Sequence, residues 1–329
     1  MKDLSIIMPY VNEWPQVAFT IRSVAEELLG SKIDFEIIAV DNYPKDGLPT
    51  PPDRAHYHMD KKNQPCTSHI EAMAKKHKWL SYCYYGEKLS HWNAKNAGVQ
   101  KSSGRVLLFL DAHVVPERGA LECAYHFYDT NEEVIDGTLH LPLAYHILEN
   151  TRLIYKLFAD PSQGVWHYKF KTFTGDGFMP FKVPCMSTCG MFMSRELYDY
   201  VGGWPSELGI YGGGENFMNF TLAILGKQKW IYPGGTLYHH GDKRGYSWNY
   251  DDYHRNRMIA LYCHGGEGEI HKYLESNQYK GSHRYTRLVA YEDVMKKLGA
   301  TRIALLDKQK LELSEWYEMW KGQPHGVWT

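Results

Sequence analysis

Three short stretches of this 329-residue chain hold residue types that can do chemistry together. Asp111-Ala-His113 offers a carboxylate and an imidazole two residues apart, directly after the apolar run Val106-Leu-Leu-Phe-Leu110. His239-His240 follows Ile231-Tyr-Pro-Gly-Gly-Thr-Leu-Tyr238 and precedes the basic pair Lys243-Arg244. Gly212-Gly213-Gly214-Glu215-Asn216 sets a carboxylate behind three glycines. A carboxylate with one or two imidazoles suits Mn2+ better than the all-oxygen shell that Mg2+ prefers. A divalent ion held this way offsets the charge that builds on a diphosphate leaving group. Basic side chains beside it, Arg244 among them, would grip the same group. In this reading Asp111, His113 and either His239 or His240 hold the metal. Glu215, at the head of a helix, can take a proton from an acceptor hydroxyl or orient that hydroxyl. The glycines before it let backbone approach a ligand closely.

These residues are far apart in sequence, so a frame must bring them together. Leu4–Met8, Phe35–Val40, Leu80–Tyr85 and Val106–Leu110 read as strands, and Trp92–Lys101 as a helix. Gln16–Leu29 carries Val17, Ile21, Val24, Ala25 and Leu28 at helical spacing, and Thr67–Lys78 reads as a helix capped by Thr67. Strands alternating with helices imply parallel βαβ units. Ligands of such sheets sit at the carboxyl ends of the strands. That rule puts Pro9–Glu13, Asp41 and Asp111–His113 on one rim. Asp41, closing the second strand, can accept hydrogen bonds from a base or ribose. Asn93, Lys95 and Asn96 fall on the helix behind the donor. Residues 140–185 lack a clear period and read as an irregular insertion. A helix is expected from about Glu215 to Leu225, and a helical pattern runs from Tyr250 almost to the end.

Composition narrows the class. The chain is 43% hydrophobic with a net charge of −1, which excludes a disordered chain and leaves ample core for a large α/β domain. Its six cysteines form no C-x-x-C pair and no zinc spacing, which fits free thiols in a reducing, cytoplasmic setting. No stretch approaches the ~18 apolar residues of a membrane span, and the apolar run near Met1 is too short for a signal peptide. Residues 243–310 carry a net charge of +5, which points to an anionic partner near the C-terminal part.

The ordered set of motifs resembles family 2 glycosyltransferases of the GT-A fold. It runs from Ser5-Ile-Ile-Met-Pro9-Tyr-Val-Asn12-Glu13 through Asp41-Asn42 to Phe109-Leu-Asp111-Ala-His113. It continues with Cys189-Gly-Met-Phe-Met-Ser-Arg195, Gly202-Gly203-Trp204 and Gly212-Gly-Gly-Glu215-Asn216. Asp-Ala-His and Gly-Gly-Glu-Asn are also similar to the motifs of polypeptide N-acetylgalactosaminyltransferases. The resemblance implies a Rossmann-like, mostly parallel central sheet flanked by helices over residues 1–245. A C-terminal helical region, 246–329, is then open to acceptor binding. It implies a UDP-sugar donor, Mn2+ (or Mg2+), and hexosyl or N-acetylhexosaminyl transfer, with the acceptor open among saccharides, lipid-linked acceptors and small molecules. Hydroxymethylated bases of DNA are a second acceptor class, suggested by the basic, aromatic run 243–250. A non-catalytic nucleotide-sugar or carbohydrate-binding protein is the alternative from another class. The resemblance places Pro9, Tyr10, Asn12, Glu13, Asp41 and Asn96 along the donor. Trp204, Gly213, Gly214, Glu215 and Asn216 fall on the acceptor side. Many inverting relatives carry Asp where Asn216 stands, and Asn cannot take a proton, so the stereochemical outcome stays open.

Overall fold

The computed structural model describes residues 1–47, 66–145, 152–160, 164–173, 179–240, 250–275 and 284–321. The first third follows the apolar pattern closely. It runs β1 (Leu4–Tyr10), α1 (Gln16–Leu29), β2 (Phe35–Asp41), α2 (Thr67–Lys76), β3 (Leu80–Tyr84), α3 (His91–Lys101) and β4 (Val106–Phe109). Every residue of β1 is buried, as expected of a parallel strand covered on both faces. Its alternation sorts the two cores. Leu4, Ile6, Met8 and Tyr10 pack with Val17, Ile21, Val24 and Leu28 of α1, whereas Ile7 packs with Ile38, Val40, Leu107 and Phe109 on the other face. Each fully buried Leu or Ile contributes about 1.5–3 kcal/mol, so the register of β1 is strongly fixed. The Thr67 cap is corrected: Cys66 is the N-cap of α2 without a side-chain bond, and the Thr67 hydroxyl instead donates to Asp41.

The chain then continues through β5 (Val114–Pro116), α4 (Ala120–Ile135), β6 (Gly137–His140), β7 (Leu143–Ala144), β8 (Arg152–Asp160), β9 (Gly164–Phe173), β10 (Phe181–Lys182) and β11 (Met191–Ser194). So 140–185 is not an irregular insertion. It holds a long antiparallel hairpin, with Arg152 opposite Phe173 and Asp160 opposite Gly164. The remaining elements are α5 (Arg195–Val201), α6 (Gly214–Ile224), β12 (Gln228–Ile231), β13 (Leu237–His239), α7 (Tyr250–Gly265), α8 (Glu267–Glu275), α9 (Arg284–Leu306) and α10 (Leu313–Trp320).

Among the described residues the strands make two sheets. The larger has the order β10-β12-β6-β11-β4-β1-β2-β3, and the smaller β5-β13-β7-β8-β9. Pairing is parallel through β4, β1, β2 and β3, and β11 joins antiparallel between β4 and β6. Residues of the C-terminal helices do not form a core of their own. Met258, Ile259, Cys263, Leu298, Leu313 and Trp316 join the same apolar cluster as Ile7, Phe109 and Met191 of the central sheet. Helices α7 to α10 are thus an extension laid on one face of the α/β unit, in line with the helical pattern.

Candidate active site

Beyond β4 the chain turns through Asp111-Ala-His113 into β5. Thr20 of α1 fixes this turn: its hydroxyl donates to the Ala112 carbonyl at 3.0 Å and accepts from the Val114 N–H at 3.0 Å. β13 pairs antiparallel with β5, placing His239 opposite Val114. As a result the Asp111 carboxylate and the His113 and His239 imidazoles converge, with ligand atoms all within 4.8 Å of one another. His239 Nε2 lies 3.3 Å from Asp111 Oδ2 and 3.2 Å from His113 Nε2. Strand alternation settles the choice between the paired histidines in geometric terms. His239 is buried, while His240 is exposed and reaches the cluster only through its backbone N–H, bonded to the His113 carbonyl at 2.9 Å. Of the two, His239 joins the cluster with Asp111 and His113, and the His240 side chain does not.

Glu13 lines the same cleft and is bound to one of the clustered imidazoles. One of its oxygens lies 2.8 Å from His113 Nδ1, and the other accepts from the Val11 N–H at 3.0 Å. A carboxylate only accepts, so His113 carries its proton on Nδ1 and turns the Nε2 lone pair toward the cluster. Burial by itself raises the Asp111 carboxyl. The hydrogen bond from His239, then the charge of Lys95 and the nearby imidazole rings, outweigh that, holding it well below the usual carboxylate range. One ionised carboxylate and two imidazoles, one backed by Glu13, fit a divalent transition ion.

Glu215 faces this cluster across one cleft, also lined by Pro9, Tyr10, Glu13, Asp111, His113, His239 and Asn216. Its Oε1 accepts from Ser187 Oγ at 2.9 Å and the Thr188 N–H at 3.3 Å, and its Oε2 from Tyr155 Oη at 3.2 Å. Lys95, 1% exposed, completes the floor. Its ammonium donates to Thr188 Oγ1 at 2.9 Å and stands 5.0 Å from the Trp92 ring. Its charge also acts on the ionised Asp111 carboxylate, which offsets part of the cost of burying it.

The glycine triplet serves packing more than ligand approach. Gly212 and Gly213 have φ of +73° and +70° and also line the cleft. A Cβ on Gly213 would lie 2.2 Å from the Asn256 carbonyl carbon of α7, and one on Gly214 would lie 2.2 Å from the Trp92 ring. The triplet therefore lets α7 seat directly on the cleft, which brings Tyr253 and Arg257 into its wall. The Arg257 guanidinium lies 4.6 Å from the Tyr253 ring, which stacks on Tyr211.

Other expected residues lie outside the cleft. Asn96 is corrected: its amide donates to the Trp204 carbonyl and accepts from Tyr198 Oη and the Trp204 N–H. Trp204, 2% exposed, donates from Nε1 to the Gly214 carbonyl and braces the triplet from behind. Asp41 is buried and accepts from Thr67, Tyr82 and the Tyr43 N–H. Asn12 is buried at φ +53°, beside the lining residues Val11 and Glu13. Arg244, the rest of 243–249 and Lys280 lie outside the described residues. Of the other basic residues there, Arg255 pairs with Asp293 and Lys272 with Glu269. Sequence reading missed Tyr155, Ser187, Thr188, Tyr211 and Tyr253, and took Arg257 only as one of the basic residues behind the nucleic-acid reading. A period-2 signal was available for the hairpin that carries Tyr155. Trp166, Tyr168 and Phe170 alternate with His167, Lys169 and Lys171.

Comparisons agree with this architecture. The chain is 24% identical over 181 residues to N-acetylgalactosaminyltransferase 6 of Drosophila melanogaster, a match covering 51% of this chain and 26% of that protein. The chain thus spans about a quarter of that relative's length. Among solved structures it is similar to GalNAc-T7 with UDP, GalNAc and Mn2+. There the TM-score is 0.63 at 14% identity, covering 91% of this chain and 57% of the other. It is also similar to S. aureus TarS 1-349 in complex with UDP, with a TM-score of 0.55 at 12% identity, covering 93% and 88%. These likenesses establish the GT-A fold. Residues 5–202, well over half of the chain, match the family model Glycosyl transferase family 2, and the chain belongs to that family.

Proposed function

We propose that this glycosyltransferase takes its sugar from a UDP-sugar, with a divalent cation, Mn2+ first and Mg2+ second, on Asp111, His113 and His239. The observation that carries the reading is the convergence of those three ligand atoms opposite Glu215 in one cleft. The UDP and Mn2+ of the GalNAc-T7 structure and the UDP of the TarS structure support the donor and ion. The GalNAc-transferase relative makes N-acetylhexosaminyl transfer the first choice over hexosyl transfer. The ion would supply positive charge to the departing diphosphate. Lys95, buried beside it, adds a second cation to that group. Glu215 faces the acceptor, whose hydroxyl oxygen bonds to the anomeric carbon as the bond from that carbon to the phosphate oxygen breaks. The hydroxyl proton passes to Glu215 if the attack inverts the carbon, or to the leaving phosphate if it does not.

Residues 1–245 hold the donor and the reacting groups in this reading, and 246–329 add an acceptor wall through Tyr253 and Arg257. A cytosolic setting fits the six free thiols. Among the described residues no helix is long and apolar enough to cross a membrane. The test is a thermal-shift panel of UDP-, GDP- and dTDP-sugars with and without Mn2+. A ligand at 100 times its Kd stabilises the folded state by about 2.7 kcal/mol. The expected result is a Mn2+-dependent rise in Tm with a UDP-sugar and UDP release from it. A panel with no shift overturns the donor assignment.

A further inference from the structure

The carboxylate of Glu215 is aimed by Ser187, and Ser187 is itself held from the opposite side. Ser187 Oγ accepts from the Cys189 N–H at 3.1 Å, so its proton is left to point at Glu215 Oε1, 2.9 Å away. The carbonyl of Ser187 lies 3.0 Å from Nδ1 of His140, the last residue of β6. A carbonyl only accepts, so His140 is protonated on Nδ1. Its Nε2 then carries the lone pair and accepts from Thr138 Oγ1 at 2.8 Å. Each hydrogen in this chain has one allowed direction. His140 is 1% exposed and Thr138 fully buried, so no solvent competes for these bonds. Burial keeps the ring neutral, pushing its pKa down to about 3. His140 does not line the cleft.

We propose that Thr138 and His140 are positioning residues for the reaction, acting through Ser187 to fix where the Glu215 carboxylate stands. This rests on the acceptor-side role of Glu215. The neighbouring peptide has its own support. Asn219 of α6 accepts from the Met186 N–H at 3.0 Å and donates to its carbonyl at 2.9 Å. The loop therefore stays in place without His140, while the carbonyl of Ser187 becomes free to turn. A shift of about 1 Å at a reacting group costs on the order of 10²-fold in rate.

The experiment measures Mn2+-dependent UDP release from the UDP-sugar that wild type turns over fastest, in His140→Leu, His140→Asn, Ser187→Ala and the double variant His140→Leu/Ser187→Ala. Asn can still donate to the Ser187 carbonyl from near the Nδ1 position. His140→Leu is expected to lower kcat on the order of 10²-fold with the KM for the donor unchanged. The thermal shift with UDP and Mn2+ should also be kept. His140→Asn should recover most of the rate, and the double variant should be no slower than Ser187→Ala alone. Full activity in His140→Leu overturns the proposal. So does a loss that tracks lost UDP binding, or one that adds in full to Ser187→Ala, since each marks a merely structural histidine. Glu215→Gln in the same assay separates the two readings: wild-type rates there would sink the role of Glu215 itself.

Discussion

The two walls of the cleft are built in different ways. The rim that carries Asp111, His113 and Glu13 sits at the ends of β1 and β4, adjacent parallel strands in full register from Leu4 opposite Val106 to Ile7 opposite Phe109. The wall around Glu215 is assembled from β8, the 185–190 loop, the head of α6 and the face of α7. One is positioned by hydrogen-bonded strands, the other by side chains and close backbone contacts between elements distant in sequence. The rim should therefore tolerate loss of the wall, and the reverse. Asp111→Ala is the largest expected effect. It removes the only carboxylate among the clustered ligands, and with it the several kcal/mol a bound divalent ion contributes, about 10³-fold or more in UDP release. Its thermal shift with Mn2+ and UDP should vanish. Glu215→Gln should cost about 10²–10⁴-fold in rate and leave that shift intact. If both variants lose the shift together, the walls are one unit and the comparison fails.

The wall can also be broken through its backbone. Gly213→Ala puts a methyl 2.2 Å from the Asn256 carbonyl carbon at φ +70°. Strain at such a position costs about 1–3 kcal/mol, and overpacking adds a similar amount. Calorimetry should show a clearly lowered Tm and, because α7 must back away, a loss of rate. An unchanged Tm would mean that α7 is not seated on the triplet. On the rim, Glu13→Gln keeps the shape but removes the carboxylate behind His113. Loss of such a partner lowers metal affinity by about 10–100-fold. The measure is the Mn2+ concentration at half-maximal UDP release, with Tm nearly unchanged. An unaltered Mn2+ requirement would detach Glu13 from the metal ligands.

The same difference decides what could be read from the sequence. α1 was legible to the residue because an exposed face and a buried face alternate with helical period. The strand ahead of Asp111 and His113, β4, is apolar throughout, so the two stand out at an abrupt change of character. The wall has no such contrast. Ser187 and Thr188 lie in a loop whose order comes from Asn219 and His140, contacts that no local pattern encodes. Gly212-Gly213-Gly214 was visible as an anomaly, but its cause is α7, whose partnership is set by tertiary packing about forty residues away. Lys95 was visible on its helix, yet only the fold shows it buried at the floor of the cleft. Glu13 read as a donor-pocket residue because sequence order puts it next to Pro9 and Tyr10. Only the fold shows that its carboxylate meets a histidine one hundred residues further on.

The smallest expected effect is on stability, and it too separates the walls. His140 backs the 185–190 loop, and His264 of α7 meets Thr221 of α6 at 2.8 Å. Burial, foremost, pushes their pKa values down from 6.5 to about 3 and about 4. Both folded values lie below the unfolded one, so on acidification the unfolded chain binds the extra protons. The stability these two contribute is complete above about pH 6.5. It is lost as pH falls toward about 4 for His264 and about 3 for His140, at up to ~1.4 kcal/mol per pH unit for each. Denaturant unfolding of the metal-free protein at a series of pH values through this window should show ΔG falling with acid. His140→Asn and His264→Gln, neither of which can charge there, should each flatten that slope. Equal slopes in wild type and the double variant would place the acid sensitivity in other groups, with the lowered Asp111 carboxyl of the rim the first to test.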